Sequence, residues 1–317
     1  MQNGEVNLEI QYYMSNQRKA YIWGIIAVGF WSTVASVFKL TLNHIDPIQL
    51  LFYSSLFSLI FLSLIITIKG SFHQLLAVSK KQITISLLLG ILNPFLYYLV
   101  LFKAYDLLPA QEAQPINFTW ALILTFLSII ILKQKIRMIE ILAGFVGYFG
   151  VLIISTHGTL TNFQFSNSLG VLLALLSTVI WALYWIYNTK SAIDPVLGLF
   201  LNFLFGVPLI FLACLFFSDF NVNFEGLVGS VYVGAFEMGI TFVCWLTALK
   251  LSENTAKIGN LIFIAPFFSL VLIQHFVGEE ILPSTFIGLI FITVSVLMQR
   301  IPVKNAPQTE GVVRNEQ

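Results

Sequence analysis

Long apolar runs separated by short polar segments are the main pattern of this chain. About ten of these runs reach the roughly 20 mostly apolar residues that a membrane-spanning helix needs. With approximate boundaries, they cover residues 21–42, 47–68, 83–104, 109–132, 137–156, 168–189, 195–217, 226–249, 255–277 and 282–300. Turn-forming residues separate the runs, for example at Asp106–Pro109 and at Asp194-Pro195. The pattern predicts an all-α membrane protein with about ten transmembrane helices.

The composition narrows the classes of protein further. Of the 317 residues, 58% are apolar and only 10% are charged, against about 25% charged residues in soluble proteins. These values exclude a soluble enzyme and a disordered chain. The net charge of +1 and the lack of a basic block argue against nucleic acid as a partner. Cys214 and Cys244 lie within apolar runs, so we expect packing residues rather than metal ligands, and we expect no cofactor.

The Lys and Arg residues predict the orientation in the membrane. If the N-terminus lies inside the cell and the chain crosses ten times, 14 of the 16 basic residues fall on the inner side. Lys39 and Lys103 fall on the outer side. Because inner loops of membrane proteins carry an excess of Lys and Arg, the polar segments 1–20 and 301–317 are both predicted to be cytoplasmic.

The two halves of the chain resemble each other. Ile45–Pro47 and Ile193–Pro195 are both Ile-Asp-Pro, and Phe30-Trp31 aligns with Ile180-Trp181 at a similar separation. Each predicted copy, 21–156 and 168–300, holds five helices, so the second copy enters the membrane from the opposite side. The sequence therefore predicts two inverted five-helix repeats, an arrangement found in many secondary transporters. The alternative is a chance alignment of apolar helices.

One stretch of the second copy carries a more specific pattern, formed by Ala248-Leu249-Lys250, Ala256, Pro266, Gly278-Glu279 and Gly288. It resembles the EamA-type members of the drug/metabolite transporter superfamily, with a short inner loop, a proline in the ninth helix and a Gly-Glu pair before the tenth. The resemblance implies a ten-helix carrier of the bacterial inner membrane. Such carriers usually export amino acids, other metabolites or drugs.

Glu237 is the outstanding candidate for function. It lies about ten residues into the eighth predicted helix, near the middle of the bilayer, where a charged side chain costs a few kcal/mol unless it faces a cavity or the bundle interior. Thr241 follows on the same predicted helix face. We expect Glu237 to be the proton-coupling residue and Thr241 to contact the substrate. The alternative is that Glu237 is a protonated group bonded to a neighbouring helix.

The other substrate-binding candidates are polar or aromatic residues at membrane depth: Asn93, Tyr97, Gln114, Asn117, Trp120, Trp31, Trp181 and Tyr184. Asn93 aligns with Glu237 between the copies, and Gln114 and Asn117 continue a polar stripe that begins at Gln111. Packing and lipid contact are the alternative for the aromatic residues. We expect Gln111 and Glu112 to lie at the outer membrane interface, where water hydrates them. We expect Glu279 to cap the tenth predicted helix.

The leading function is a secondary transporter that exports amino acids or related small metabolites by alternating access. The sequence is compatible both with export coupled to a proton and with facilitated diffusion that uses no proton. The runner-up is an exporter of drugs or cationic compounds, favoured by the aromatic interior and the single deep acid. An intramembrane enzyme is a weaker alternative, since no mid-membrane Asp or His pair occurs in the predicted spans. A channel is also weaker, since the chain has predicted inverted repeats and no filter-like loop. The expected partners are a small-molecule substrate and the lipid bilayer. The sequence leaves open whether the protein forms a homodimer.

Overall fold

A computed structural model describes residues 2–132, 138–159, 165–188, 193–252, 258 and 260–299. Helices and turns account for this part of the chain, in which no β-strand occurs. The α-helices are α1 Gln2–Leu42, α2 Pro47–Ile68, α3 Lys80–Gly90, α4 Tyr97–Leu107, α5 Ala110–Phe118, α6 Trp120–Leu132, α7 Met138–Ser155, α8 Ser168–Asn188, α9 Pro195–Phe217, α10 Phe224–Phe236, α11 Ile240–Leu251, α12 Ala265–Leu272 and α13 Pro283–Gln299. Short helical segments lie at Phe72–Ala77, Ile91–Leu96, Asn260–Ile264 and Ile273–Val277.

Six stretches of the described chain are long and apolar enough to cross a membrane. They are Asn16–Leu42, Pro47–Ile68, Lys80–Leu107, Ser168–Asn188, Pro195–Phe217 and Phe224–Leu249. Shorter apolar helices follow at Ile141–Ser155, Ala265–Val277 and Pro283–Met298. These helices confirm the prediction of an all-α membrane protein. The count of ten spans and the opposite direction of the two copies stay predictions.

Two differences from the predicted spans bear on function. Helix α1 begins at Gln2, so the polar N-terminal segment continues into the first span without a break. The spans predicted at 83–104 and 226–249 are each interrupted near their middle. Asn93 has φ −147° and ψ 117°, because the ring of Pro94 excludes a helical conformation for the preceding residue. Gly239 has φ −123° and ψ −93° and separates α10 from α11.

The repeated Ile-Asp-Pro has the same structural role in both halves. Asp46 accepts hydrogen bonds from the backbone N–H groups of residues 48 and 49 and so caps α2. Asp194 accepts from the N–H groups of residues 196 and 197 and caps α9 in the same way. In each case proline occupies the first turn, where its missing N–H costs no hydrogen bond.

Glycine allows α7 and α13 to cross at close range. A Cβ built on Gly150 would lie 2.6 Å from the Gly288 carbonyl oxygen, and a Cβ built on Gly288 would lie 2.6 Å from the Gly150 carbonyl oxygen. Backbone atoms cannot move aside as a flexible side chain can, so both positions require glycine. This crossing joins the two halves of the chain through the last helix of each half.

Candidate functional site

A cavity of about 200 Å³ lies between helices of both halves. Its lining comes from α1, α4, α5, α6, α8 and α11, together with the break after α10 and residue 262. Seven of the ten predicted site residues line it: Trp31, Tyr97, Gln114, Asn117, Trp120, Trp181 and Glu237. Six further aromatic residues complete the wall: Phe38, Tyr105, Phe118, Trp185, Phe242 and Trp245. The sequence therefore singled out much of the cavity lining, but not the full extent of its aromatic wall.

Glu237 is positioned by the break between α10 and α11, not by a continuous helix. Its Oε1 accepts a hydrogen bond of 3.0 Å from the Tyr98 hydroxyl, and the Trp31 indole is a second partner. The Glu237 side chain is half-buried, and its accessible part faces the cavity. Across the break, the Ser58 hydroxyl donates to the Met238 carbonyl at 3.0 Å. Helix α2 therefore helps to hold the chain that presents the carboxyl group.

Thr241 lies outside the cavity lining. It is fully buried, and its hydroxyl donates to the Phe236 carbonyl, which α10 leaves free where it ends. The uninterrupted helix face expected for Glu237 and Thr241 was wrong, because Gly239 ends the helical geometry between them. Thr241 stabilises the break, and a contact with substrate stays a prediction.

Aromatic rings that contact one another form much of the wall, and an edge contact between Trp181 and Phe242 at 6.0 Å joins its two groups. Trp181 stacks between Tyr97 and Tyr184, with ring centroids 4.4 Å and 5.4 Å apart. Trp31 makes edge contacts with Phe242 at 5.6 Å and Trp245 at 5.4 Å. Such rings provide apolar area and electron-rich faces that attract a cation.

The polar groups of the cavity are few and distinct. Asn117 donates to Ser177 Oγ at 2.9 Å, and its Oδ1 is 3.4 Å from the Tyr97 hydroxyl. Two buried atoms in the wall, Gln114 Oε1 and Trp185 Nε1, have no hydrogen-bond partner among the described residues. One is an acceptor and the other a donor, and Glu237 adds a carboxyl group. None of the described lining residues is Lys or Arg.

Asn93 and Tyr184 lie outside the cavity lining as well. Asn93 is 1% exposed and Tyr184 is 2% exposed, and both belong to a buried polar cluster behind Trp181. Asn202 of α9 is the third member. Their contact with substrate stays a prediction.

Hydrogen bonds join the two halves at one end of the bundle. Glu279 accepts from the Ala110 N–H at 2.7 Å and from the Gln111 N–H at 3.0 Å. Gln49 Nε2 donates to Asp219 Oδ1 at 2.8 Å. We call Gln49, Gln111, Asp219 and Glu279 the polar latch. The expected cap on the tenth helix was wrong: Glu279 caps α5, which lies in the other half.

Glu112 and Gln111 are buried, and the expected watery interface was wrong. Glu112 is 1% exposed and bonds to His157 Nε2 at 2.7 Å and to the Ser166 hydroxyl at 2.6 Å. Gln111 Nε2 donates to the Glu280 carbonyl at 2.8 Å. Within the described ranges, no group of three or more His, Cys, Asp or Glu could hold a metal ion.

The family follows from a match over most of the chain. The model of the EamA-like transporter family matches residues 18–156 and 168–300. The chain belongs to the EamA-like transporter family. It is therefore an integral membrane transporter with the two-repeat architecture of that family, and both repeats contribute to the cavity.

Similar proteins agree with this assignment. This protein is 27% identical over 308 residues to an uncharacterized transporter of Clostridium kluyveri. The alignment covers 93% of this chain and 97% of the Clostridium protein. This protein is also 29% identical over 197 residues to an uncharacterized transporter of Acidianus ambivalens, covering 59% and 73%. One crystal structure superimposes with a TM-score of 0.62 at 19% identity, covering 89% of this chain and 96% of that one, which shows the shared fold.

Proposed function

We propose that this protein is a secondary transporter that exports amino acids or related small metabolites, with its substrate site in the aromatic cavity. The observation that carries the proposal is the Glu237 carboxyl group, which faces a cavity built from both repeats. In the proposed mechanism the repeats are inverted, and they rock around the cavity so that it opens to each side in turn. Both termini are cytoplasmic in this scheme, and the membrane is the bacterial inner membrane.

The size of the cavity supports a metabolite over a larger drug. Its volume of about 200 Å³ is below the range of about 300–1,000 Å³ that is usual for drug-sized ligands. An amino acid also matches the polar groups. Its ammonium group suits Glu237 and Gln114 Oε1, its carboxylate suits the unpartnered Trp185 N–H, and an apolar side chain suits the rings.

Glu237 is the proposed exchange point between substrate and proton. The hydroxyl of Tyr98 and the indole of Trp31 stabilise the ionised carboxylate, which then attracts the substrate ammonium group. When the substrate leaves, a proton takes its place and returns through the same cavity. One elementary charge crossing 100 mV supplies about 2.3 kcal/mol, enough to drive uphill export.

Transport in proteoliposomes tests the substrate class. We expect a pH gradient to drive phenylalanine uptake, and we expect Trp185→Phe to reduce that flux about tenfold, because the variant keeps a ring but loses the N–H donor. Phenethylamine, which lacks the carboxylate, serves as the matched substrate and should be transported equally by both proteins.

The second candidate function predicts a different result. Since no described lining residue is basic, an exporter of organic cations would prefer phenethylamine or tetraphenylphosphonium. It would also show no effect of Trp185→Phe on any substrate. Phenylalanine flux that is absent, or that is unchanged in Trp185→Phe, would contradict the amino-acid proposal.

The polar latch is proposed to close the outer end of the transporter. The reporter is Val34→Cys in a protein from which Cys214 and Cys244 have been removed. An impermeant maleimide is added from outside, and we expect Glu279→Ala to increase the labelling rate of the reporter several-fold. The reason is that Glu279 bonds two N–H groups of the other repeat, while Val34 lines the cavity. Glu225→Ala is the matched control, since Glu225 is exposed in the first turn of α10. Equal labelling of all three proteins would contradict this role.

A further inference from the structure

An apolar groove lies on the surface of the bundle between α3 and α8, apart from the aromatic cavity. Its volume is about 420 Å³, and its lining consists of Ile85, Leu88, Leu89, Ile91, Leu92 and Tyr187. Leu88 is 55% exposed and Tyr187 is 44% exposed, so the groove opens outward from the bundle. Both helices belong to stretches that are long and apolar enough to cross a membrane, and the groove therefore faces the lipid.

Water is a poor occupant of this groove. An ordered water needs about two to four polar partners, whereas five of the six lining side chains are aliphatic and the sixth offers one hydroxyl. An acyl chain matches the lining, because lipid tails are as apolar as leucine. The same likeness means that the apolar lining alone selects no particular lipid. Selection has to come from charge, where the groove approaches the membrane surface.

A lysine continues the groove towards the membrane surface. Lys81, Ile85 and Leu88 follow one another at intervals of four and three residues within α3, so they share one face of the helix. Lys81 lies one helical turn, about 5.4 Å, before the first lining residue. Its side chain leans towards the N-terminal end of α3, because side chains on a helix tilt in that direction. Lys80 and Lys81 are both exposed, and neither forms an ion pair with a described residue.

The segment that leads into α3 has the composition of a membrane interface. Residues 69–81 contain three lysines and no Asp or Glu. Within this segment, Phe72 is 50% exposed and Leu76 is 92% exposed. Exposed apolar side chains next to lysines are typical of a segment that lies in the head-group layer. An anionic head group at the open end of the groove would therefore meet only positive charge from this segment.

We propose that the groove binds one acyl chain of an anionic phospholipid, whose phosphate group contacts Lys81 and Lys80. The groove shares no lining residue with the aromatic cavity, and lipid binding does not depend on the proposed function. It does connect to the cavity through α8, which carries Tyr187 of the groove and Trp181 of the cavity wall. The bound lipid and the cavity thus lie on different faces of one helix.

Thermal unfolding of the purified full-length protein in a neutral detergent tests the proposal. The unfolding midpoint is measured against dioleoylphosphatidylglycerol and, separately, against dioleoylphosphatidylcholine, which has the same acyl chains and no net charge. A ligand that binds only the folded state raises the midpoint. We expect a saturable rise with both lipids and a half-saturating concentration about tenfold lower for phosphatidylglycerol, because lysines at the membrane surface attract anionic lipids.

Lys81→Gln should reduce this preference for phosphatidylglycerol about fivefold. Lys69→Gln is the matched control, since Lys69 is exposed in the same segment but lies before it turns into α3, and it should keep the preference. Equal half-saturating concentrations of the two lipids in the wild type would overturn the proposal. An equal loss of preference in Lys69→Gln and Lys81→Gln would also overturn it, because the total charge would then attract the lipid.

The groove itself is tested by a substitution that fills it. We expect Leu88→Trp to raise the half-saturating concentration of both lipids at least about fivefold. Leu64→Trp is the matched control, since Leu64 is 53% exposed on α2 and lies outside the groove lining, and it should bind both lipids as the wild type does. Wild-type lipid binding by Leu88→Trp would contradict an acyl chain in the groove.

Discussion

Glu237→Gln is expected to abolish transport driven by a pH gradient, with at least about a tenfold loss of flux. Glutamine keeps an oxygen that accepts from Tyr98 and Trp31, so the cavity retains its shape, but it cannot exchange a proton. In proteoliposomes the wild type should accumulate substrate when a proton gradient is imposed. The variant should show the same slow flux with and without the gradient.

Substrate counterflow separates loss of coupling from loss of the site. In that assay labelled substrate exchanges for unlabelled substrate without net proton movement. We expect Glu237→Gln to retain exchange at saturating substrate, with a higher half-saturating concentration because glutamine lacks the charge that attracts the ammonium group. Glu225→Gln, an exposed acid on the helix that precedes Glu237, is the control and should keep full gradient-driven flux. If Glu237→Gln also kept full gradient-driven flux, the coupling role would be wrong.

Trp181→Ala is expected to raise the KM for substrate at least about tenfold, which corresponds to about 1.4 kcal/mol. Trp181 is the central ring of a stack with Tyr97 and Tyr184, so its removal opens one wall of the cavity and frees both neighbours. Stacking and cation contacts of a substrate with this ring are lost together. The measurement is initial transport rate against substrate concentration.

Trp23→Ala controls for the general effect of losing a tryptophan from the membrane. Trp23 is 40% exposed on α1 and lies outside the cavity lining, so its removal should leave KM unchanged. Thermal unfolding of both variants reports any loss of stability separately. An unchanged KM in a folded Trp181→Ala protein would show that this wall does not contact substrate.

The fold was predictable where one short stretch of sequence determines the structure. Apolar runs of spanning length predict helices by themselves, and the Asp of each Ile-Asp-Pro caps the helix that follows it. The breaks inside spans were harder to predict. Pro94 indicated the first of them. Gly239 lies in an apolar run that predicts one continuous helix, and Glu237 was therefore predicted on a continuous helix instead of at a break between two helices.

The site was predictable only residue by residue. Depth in the membrane singled out Glu237, Asn117 and Trp181, and each lines the cavity. The partner of Glu237 could not be predicted, because Tyr98 lies 139 residues away and on another helix. The rotation of each helix about its axis is set by packing against its neighbours. Periodicity within a single helix does not contain that information.

The latch and the cluster illustrate the same limit. Glu279 reaches the N-terminus of α5 across 169 residues of sequence, and no local pattern distinguishes this from a cap on its own helix. In the sequence, Asn93 and Asn202 are each explained by a single hydrogen bond to a neighbouring helix. Only the relative positions of α8, α9 and the break before α4 bring both amides to one hydroxyl.

Access to the cavity from each side of the membrane is the direct test of alternating access. The measurement is the labelling of the Val34→Cys reporter by an impermeant maleimide, applied in turn to each side, in the absence and presence of transported substrate. We expect labelling from both sides, with protection by substrate in each case. Labelling from one side only under all conditions, or labelling that substrate does not slow, would contradict a shared site that opens alternately to each side.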